Sequence, residues 1–248
     1  MAQPYMSDHK HRIRADWAAS LRAILDAARL AGSTGVLAFD LDSTVFDNRP
    51  RQARILRELG AARNVEPLKK CGVEHWTSGW DLKAAMISCG MTPNDAESFY
   101  KEAKAFWQER FFTSEYCVDD VEVPGAPKFL EACVATRAKV VYLTGRHEEM
   151  RRGTVECLQK CRMPVPQGDV HLIMKPTLKE SDDDFKRVAH AKVESMGELI
   201  AAFDNEPTHA NDYATRFPTA VVIHLATDHS GRKVELHDRV ISVPNFEL

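Results

Sequence analysis

Short apolar runs alternate with longer amphipathic segments along most of the chain. The runs lie at residues 36–39, 139–143, 170–174, 199–203 and 220–224. Each run is mostly unbroken and rich in aliphatic or β-branched residues, which is typical of strands buried on both faces. The segments 147–159, 184–195 and 207–216 are long enough to be the crossover helices that parallel strands require. The pattern therefore predicts an α/β fold with a Rossmann-like, doubly wound, mainly parallel sheet.

A helix is also predicted before the first strand. In the segment 11–30, Ile13, Trp17, Leu21, Ile24 and Ala28 recur at three- and four-residue steps and form one apolar stripe. We expect a helix over about 11–30 that packs this stripe against the core.

A long insertion is predicted between the first two apolar runs. Nearly 100 residues separate these runs, although a strand–helix–strand unit needs only a few dozen. Residues 48–119 have a helical pattern interrupted by glycines, and they hold nine of the chain's twenty aromatic residues. This density is enough for a small core of their own. We therefore predict an α/β core formed by 1–47 and 120–248, with an α-helical cap domain inserted at 48–119.

The composition limits the class of protein. The chain has 248 residues, of which 44% are hydrophobic and 28% charged, and its formal net charge is −3. No apolar run approaches the roughly 20 residues of a membrane span, and the polar first 14 residues lack the apolar stretch of a signal peptide. The six cysteines show neither a disulfide framework nor a zinc-knuckle spacing. These features predict a cytoplasmic protein with free thiols and no membrane partner.

Two carboxylates stand at the carboxyl end of the first predicted strand. Asp40 and Asp42 are two residues apart, so they share one face of an extended chain, and open α/β sheets bind ligands at this edge. Carboxylates so close repel each other, and a hard divalent cation such as Mg²⁺ relieves the repulsion. A pair of turn-forming aspartates that ends the strand is the alternative interpretation.

Four ordered motifs resemble those of the haloacid dehalogenase (HAD) superfamily. The sequence Phe-Asp-Leu-Asp-Ser-Thr at 39–44 resembles the first motif, and 140–146, which ends in Thr-Gly-Arg, resembles the second. Lys186 is placed similarly to the third-motif lysine, and the segment 202–207 around Asp204 resembles the acidic fourth motif. The resemblance covers about residues 36–224 apart from the insertion, which has the position of a helical C1-type cap. It implies the fold and the phosphohydrolase chemistry of this superfamily.

The resemblance also implies a role for each matched residue. Asp40 is the nucleophile that forms an aspartyl-phosphate, and Asp42 is the general acid and base. Mg²⁺ is held by Asp40, by Asp204 and by a backbone carbonyl near Asp42. The groups implied in binding the phosphoryl oxygens are Thr144, the Gly145 N–H and Lys186.

Three of these assignments have alternatives. Asn205 stands where the fourth motif often has a second aspartate, so the metal shell is completed either by Asn205 or by Glu206. Lys192 is the alternative to Lys186 as the third-motif lysine. Arg146, which follows the second motif, either binds a carboxylate or phosphate of the substrate or pairs with a neighbouring glutamate.

The second aspartate of the first motif narrows the chemistry that the resemblance implies. Dehalogenases of this superfamily lack it, because a carbon–halogen bond needs no proton on its leaving group. The sequence thus predicts a Mg²⁺-dependent phosphatase that hydrolyses a phosphate monoester of a small metabolite. One alternative is a nucleic-acid 3′-end phosphatase, similar to the phosphatase half of polynucleotide kinase-phosphatases, that uses the seven basic residues of 49–70. A catalytically silent binding protein is another, and the oligomeric state is open.

Overall fold

The computed structural model describes residues 8–248, so the first half of the polar amino-terminal segment lies outside the described residues. Its strands, in chain order, are β1 (Gly35–Phe39), β2 (Phe46–Asp47), β3 (Val121–Glu122), β4 (Lys139–His147), β5 (Val170–Lys175), β6 (Glu198–Asp204), β7 (Val221–Leu225) and β8 (Ile241–Val243). Its α-helices are α1 (Trp17–Ala31), α2 (Arg49–Arg63), α3 (Leu82–Ser88), α4 (Pro93–Phe111), α5 (Ser114–Cys117), α6 (Ala126–Ala135), α7 (Arg151–Lys160), α8 (Asp182–Met196) and α9 (Pro207–Arg216). No helix of this described part is long and apolar enough to cross a membrane.

A parallel sheet in the order β5-β4-β1-β6-β7-β8 forms the centre of the molecule. All five residues of β1 are buried, because this strand is central and separate apolar clusters cover the two faces of the sheet. The chain leaves β1 toward β4 on one side and later returns to β6 on the other. Such a change of direction opens a crevice at the carboxyl ends of the strands. The predicted doubly wound α/β fold is confirmed.

The amino-terminal helix begins later than predicted. It starts at Trp17 instead of near residue 11, and residues 8–12 form a 3₁₀ helix. Ile13, the first residue of the predicted stripe, pairs instead with Ser242 in a β-bridge. The Arg12 guanidinium donates to the carbonyl of Leu236 at 2.9 Å, which ties the segment to the far edge of the sheet. The strand at that edge, β8, has only three residues and was not predicted.

The helices α2 to α5 lie between the two short strands β2 and β3, which pair in antiparallel fashion. We call residues 49–117 the helical insert. It has an apolar cluster of its own, in which Trp76 and Leu56 are fully buried and Trp107 stacks on Phe111. The pairing of β2 with β3 brings both ends of the insert back to the carboxyl end of β1. The domain limits 48 and 119 stay a prediction.

Candidate active site

The carboxyl ends of β1, β4 and β6 meet in one cavity of about 160 Å³. Asp40 and Asp42 follow β1, Thr144 lies in β4, Asp204 ends β6, and Lys186 lies in the second turn of α8. All five line the cavity, together with Gly145 and Arg146. The structure therefore brings every site residue named from the sequence to a single place.

Lys186 joins two carboxylates across the crevice. Its ammonium lies 2.7 Å from Asp40 Oδ1 and 2.7 Å from Asp204 Oδ2, and the Lys186 side chain is 4% exposed. Lys192, the alternative, is exposed, and Lys175 in β5 pairs with Asp182 and donates to the carbonyl of Glu180. Among these lysines it is Lys186 that contacts the proposed nucleophile.

Burial and mutual charge set the ionisation of this group. Burial raises the pKa of Asp40 to about 7, against the opposing effect of Lys186 and with a further contribution from Asp204. Burial acts in the same sense on Asp204, but Lys186 and His209 hold the pKa of that carboxyl well below its usual range. Although burial disfavours a charged lysine, the two carboxylates raise the pKa of Lys186 above its usual value. The site thus holds a permanent cation beside a carboxyl group poised near neutrality.

Thr44 orients the proposed nucleophile. Its hydroxyl lies 3.2 Å from Asp40 Oδ2 and 3.0 Å from Asn205 Oδ1, and it accepts the Asn205 N–H at 3.1 Å. The Asn205 amide also donates to the carbonyl of Asp228 at 2.6 Å. These bonds fix the carboxylate of Asp40 at the base of the cavity.

Glu206, which follows Asn205, is directed toward a neighbouring loop. Its carboxylate accepts hydrogen bonds from the N–H and hydroxyl of Ser230, at 2.9 and 3.0 Å, and pairs with Arg232. Its backbone N–H donates to Asp204 Oδ1 at 2.9 Å. Asn205 and Glu206 therefore both have protein partners, and the identity of the residue that completes a metal shell stays a prediction.

Asp42 is held by two arginines. Arg146 binds its carboxylate through Nε at 2.8 Å and Nη2 at 2.7 Å, and Arg51 contacts the same group at 2.8 Å. Both arginines also pair with Asp120, which is completely buried. Burial favours protonation of Asp42, but the two guanidinium groups hold its pKa well below the usual range. In this arrangement Asp42 is an anion bound to Arg51 and Arg146.

The predicted contact between Arg146 and substrate is not supported by this geometry. Arg146 is 3% exposed, and each of its three nitrogens has a protein partner: Asp42, Asp120 or Thr154. The alternative pairing with a neighbouring glutamate is not formed either, because Asp42 and Asp120 take that place. The sequence could not indicate this, since Asp120 is distant from Arg146 along the chain. Arg146 instead fixes Asp42 at the base of the helical insert.

Thr144 and Gly145 form the side of the cavity opposite Asp204. The Thr144 hydroxyl accepts the Arg146 N–H at 3.2 Å, which leaves its own proton available for a ligand oxygen. A Cβ on Gly145 would lie 2.7 Å from a carboxylate oxygen of Asp182, so only glycine fits here without displacing that side chain. This edge can donate hydrogen bonds to an anion, as the second-motif resemblance implies.

The mouth of the cavity is formed partly by the helical insert. Trp80, which is 56% exposed, and Phe112 line it from this side. The Gly79 N–H donates to Asp228 Oδ2 at 2.7 Å and so joins the two sides of the mouth. Trp76, by contrast, is buried in the core of the insert.

Other site residues were not found from the sequence. They are Arg51, Asp120, Asp228 and His209, whose Nε2 lies 2.8 Å from Asp183 and whose Nδ1 lies 3.6 Å from Asp204. Each comes from a helix or loop far along the chain from its partner. No local pattern marks them, because isolated arginines, aspartates and histidines are common on helices and in loops.

No protein-family model matches this chain, and no curated protein matches it either. Solved structures do match. A dehalogenase in an intermediate complex aligns over 87% of this chain and 95% of its own, with 12% identity and a TM-score of 0.51. Protein tyrosine kinase A of Mycobacterium tuberculosis aligns over 86% and 94%, with 15% identity and a TM-score of 0.51.

The class C acid phosphatase of Bacillus anthracis with tungstate bound is a further match, with 17% identity and a TM-score of 0.48. The alignment spans 78% of this chain but only 62% of that protein, less than two thirds of its length. At these identities a match shows the fold alone, and it is the two structures with a TM-score of 0.51 that do so. The chain has the HAD-like fold, as its four motifs indicated.

Proposed function

We propose that this protein is a Mg²⁺-dependent phosphatase that hydrolyses a phosphate monoester of a small metabolite through an aspartyl-phosphate on Asp40. The observation that carries the proposal is the contact of the buried Lys186 ammonium with both Asp40 and Asp204, at 2.7 Å each. A phosphoryl group approaching Asp40 meets a fixed cation there, as phosphoryl transfer requires.

The donor set fits Mg²⁺. Asp40 and Asp204 offer carboxylate oxygens on the two sides of Lys186, and such hard ligands suit this ion. Their mutual repulsion contributes to the raised pKa of Asp40, and a divalent cation would offset it. Asp40, Asp204 and the backbone carbonyl of Asp42 would hold the ion. When bound, it would supply positive charge against the phosphoryl oxygens.

Asp40 acts as the nucleophile in this proposal. One oxygen of its carboxylate attacks phosphorus, a P–O bond forms to Asp40, and the bond from phosphorus to the alcohol oxygen breaks. Thr144, the Gly145 N–H and Lys186 bind the three phosphoryl oxygens during the transfer. Water then attacks the phosphorus of the aspartyl-phosphate, which releases inorganic phosphate and restores the carboxylate of Asp40.

Asp42 is proposed to move the protons of both half-reactions. The alcohol must gain a proton as it leaves, and the attacking water must lose one. In the described arrangement Asp42 is an anion held by Arg51 and Arg146, so it first has to separate from a guanidinium to take up a proton. Arg51 belongs to the helical insert, and we propose that a displacement of the insert releases Asp42 for this step.

A small substrate is supported by the cover over the cavity and by the pairing of the basic stretch. Arg49 pairs with Asp47, Arg54 with Glu58 and Asp119, and Arg63 with Glu102. Arg51 is buried against Asp42, and Lys69 pairs with Glu66. Five of the seven basic residues of 49–70 are thus paired with acidic groups within the chain, so the stretch does not present a continuous track for a polyanion. The mouth, narrowed by Trp80, favours a small ester.

Release of inorganic phosphate from a panel of phosphorylated metabolites, nucleotides and a 3′-phosphorylated oligonucleotide tests the proposal, with Mg²⁺ and with EDTA. We expect Mg²⁺-dependent turnover of a few small esters that is abolished in Asp40→Asn, because an amide is not a nucleophile. Asp169→Asn, an exposed carboxylate outside the cavity, is the matched control and should keep full activity. Near-wild-type turnover by folded Asp40→Asn would falsify the nucleophile assignment, and preference for the oligonucleotide would overturn the small-substrate assignment.

A further inference from the structure

Three metal-ligating side chains meet inside the helical insert, apart from the catalytic cavity. They are Cys71, His75 and Cys89, and one ligand atom of each lies within 4.8 Å of the others. Cys71 follows the 3₁₀ helix Glu66–Lys70, His75 ends the 3₁₀ helix Val73–His75, and Cys89 follows α3. None of them is among the described residues that line the catalytic cavity.

We propose that Cys71, His75 and Cys89 bind a zinc ion, with the carboxylate of Glu74 as the fourth ligand. Two thiolates and an imidazole are a donor set that zinc prefers and that Mg²⁺ or Ca²⁺ does not. Glu74 lies beside this group: an oxygen of its carboxylate is 3.5 Å from His75 Nδ1, and a small movement of this exposed side chain would bring it onto the ion. Four ligands of this kind complete a tetrahedral site.

The observed spacing is close to that of an occupied site. With Zn–S distances of about 2.3 Å, two sulfurs of a tetrahedral site lie about 3.8 Å apart. The Cys71 and Cys89 sulfurs lie within 4.8 Å of each other, so a contraction of about 1 Å or less brings them to that separation. Zinc would replace the protons of both thiols.

The groups around the three ligands suit a bound cation. The Trp76 indole N–H is buried and has no hydrogen-bond acceptor of good geometry among the residues that the structure describes. It lies beside the Cys71 thiol. An N–H in this position can donate to a metal-bound thiolate. A zinc-bound thiolate at Cys71 would therefore give this buried indole N–H its acceptor.

His75 is also held in place. Its Nδ1 lies 2.9 Å from the Gly72 N–H, 3.3 Å from the Gly72 carbonyl and 3.5 Å from Glu74. The Gly72 N–H donates to Nδ1, and these contacts fix the plane of the imidazole ring beside the two thiols. Arg57 donates to the Cys71 carbonyl at 2.7 Å and places a positive charge beside the two thiolates.

The site has a consequence for the mouth of the catalytic cavity. Residues 76–81 connect His75 to α3, and Cys89 follows that helix, so zinc would close a loop around this segment. The segment carries Gly79, which donates to Asp228, and the exposed Trp80. Fixing both sides of the segment reduces its conformational freedom. The zinc site would hold Trp80 in position over the cavity without taking part in the reaction.

Metal analysis of protein purified under reducing conditions without added chelator tests the proposal. We expect about one zinc per chain in wild type, and Co²⁺ added to the zinc-free protein should give the intense visible bands of a tetrahedral thiolate site. Cys89→Ser and His75→Asn should lose most of the metal, and Trp76→Phe should bind it about 10-fold more weakly. Cys161→Ser, which removes a thiol far from the site, and exposed His237→Gln are the controls and should retain the metal.

The wild-type measurements do not depend on whether the variants fold. Wild type that contains no zinc, and that does not bind zinc or Co²⁺ with its thiols reduced, would overturn the proposal. So would a Cys71–Cys89 disulfide in the protein as purified, which would make the pair a redox site instead. Metal content is read independently of phosphate release, so failure of the zinc site and failure of the proposed catalysis are distinguishable.

Discussion

Asp42 is the residue whose role and ionisation are most closely tied to its neighbours. Two guanidinium groups keep it anionic, whereas the proposed reaction needs it to deliver a proton to the leaving alcohol. That proton matters for an alkyl phosphate, whose alkoxide is a poor leaving group. It matters little for an aryl phosphate, whose phenolate leaves unaided.

Asp42→Asn should therefore affect the two substrate classes differently. We expect kcat/KM to fall by roughly 10²–10⁴-fold for an alkyl phosphate and by at least about tenfold less for an aryl phosphate such as p-nitrophenyl phosphate. Steady-state rates for both esters, with circular dichroism to verify the fold, provide the measurement. Equal losses for the two esters would mean that Asp42 contributes through position or charge and not through proton transfer.

His190 gives a prediction for stability instead of catalysis. The ring is 1% exposed, it packs on Tyr213 at 4.3 Å between centroids, and neither of its nitrogens has a partner in the described structure. Burial lowers its pKa from 6.5 to about 4, and the nearby Lys186 adds to this effect. The unfolded chain therefore binds a proton in a pH range where the folded protein does not.

This difference in proton binding sets the direction of the pH dependence of stability. The part of the free energy of unfolding that depends on a neutral His190 is fully present above pH 6.5. It is lost as the pH falls from about 6.5 to about 4. His190→Phe should remove about 3 kcal/mol of this pH dependence of the free energy of unfolding, measured by urea denaturation at several pH values. His224, whose pKa is lowered to about 3 by burial, acts in the same direction, so the difference between wild type and variant isolates His190. Exposed His237→Gln should follow the wild-type curve.

Packing between helices decides where the insert rejoins the core. Gly153 of α7 lies directly against Ser114 of α5, and a Cβ at 153 would overlap the Ser114 carbonyl. The Gly153 N–H donates to the Ser114 hydroxyl at 3.1 Å, and that hydroxyl donates to the carbonyl of Glu149 at 3.0 Å. A larger residue has to push α5 away from α7.

Gly153→Ala should consequently destabilise the protein even though alanine favours helix. We expect a loss of about 1–3 kcal/mol in the free energy of unfolding, because the strain of overpacking exceeds the gain in helix propensity. Thermal or urea unfolding measures it. Gln159→Ala on the exposed face of the same helix is the control, and it should leave stability unchanged or slightly increased. A Gly153→Ala variant as stable as this control would contradict the close packing.

The elements that sequence patterns predicted are those whose burial is regular. The strand β1 is apolar at all five positions because both of its faces are covered, so its run is easy to recognise. The strand β8 has three residues at the edge of the sheet, and the start of the first helix depends on the pairing of Ile13 with Ser242. Neither feature leaves a local pattern, since both come from contacts between distant parts of the chain.

The site residues divide in the same way, into those with a local sequence pattern and those placed by contacts between distant parts of the chain. Asp40, Thr144 and Asp204 were found because each lies near or just after the carboxyl end of a strand, and this edge of the sheet brings them together. Arg51 and Asp120 were missed because their contact with Arg146 depends on how the insert packs. The Cys71, His75 and Cys89 cluster was missed because its spacing matches no known knuckle, although the turn before α3 closes it.

At the scale of the whole molecule, three contacts between the insert and the core stand out among residues 8–248. The buried arginines and aspartates around Asp42 hold its base, Ser114 packs on α7, and Gly79 reaches across the mouth to Asp228. The first two contacts lie close to the points where the chain enters and leaves the insert. The third is far from them along the chain, so it determines how firmly the mouth is closed.

Asp228→Ala should therefore weaken substrate binding more than it slows the chemical steps. A hydrogen bond to a charged acceptor contributes about 1.5–3 kcal/mol, so we expect KM for a small phosphate ester to rise about tenfold or more while kcat changes less. Asp228→Asn keeps a side-chain acceptor oxygen for the Gly79 N–H and is the matched control. Both substitutions keep the backbone carbonyl that accepts from Asn205. Steady-state kinetics of the three proteins with one substrate measures the effect. An unchanged KM in Asp228→Ala, or equal effects of both substitutions, would show that this contact does not close the mouth over a bound ester.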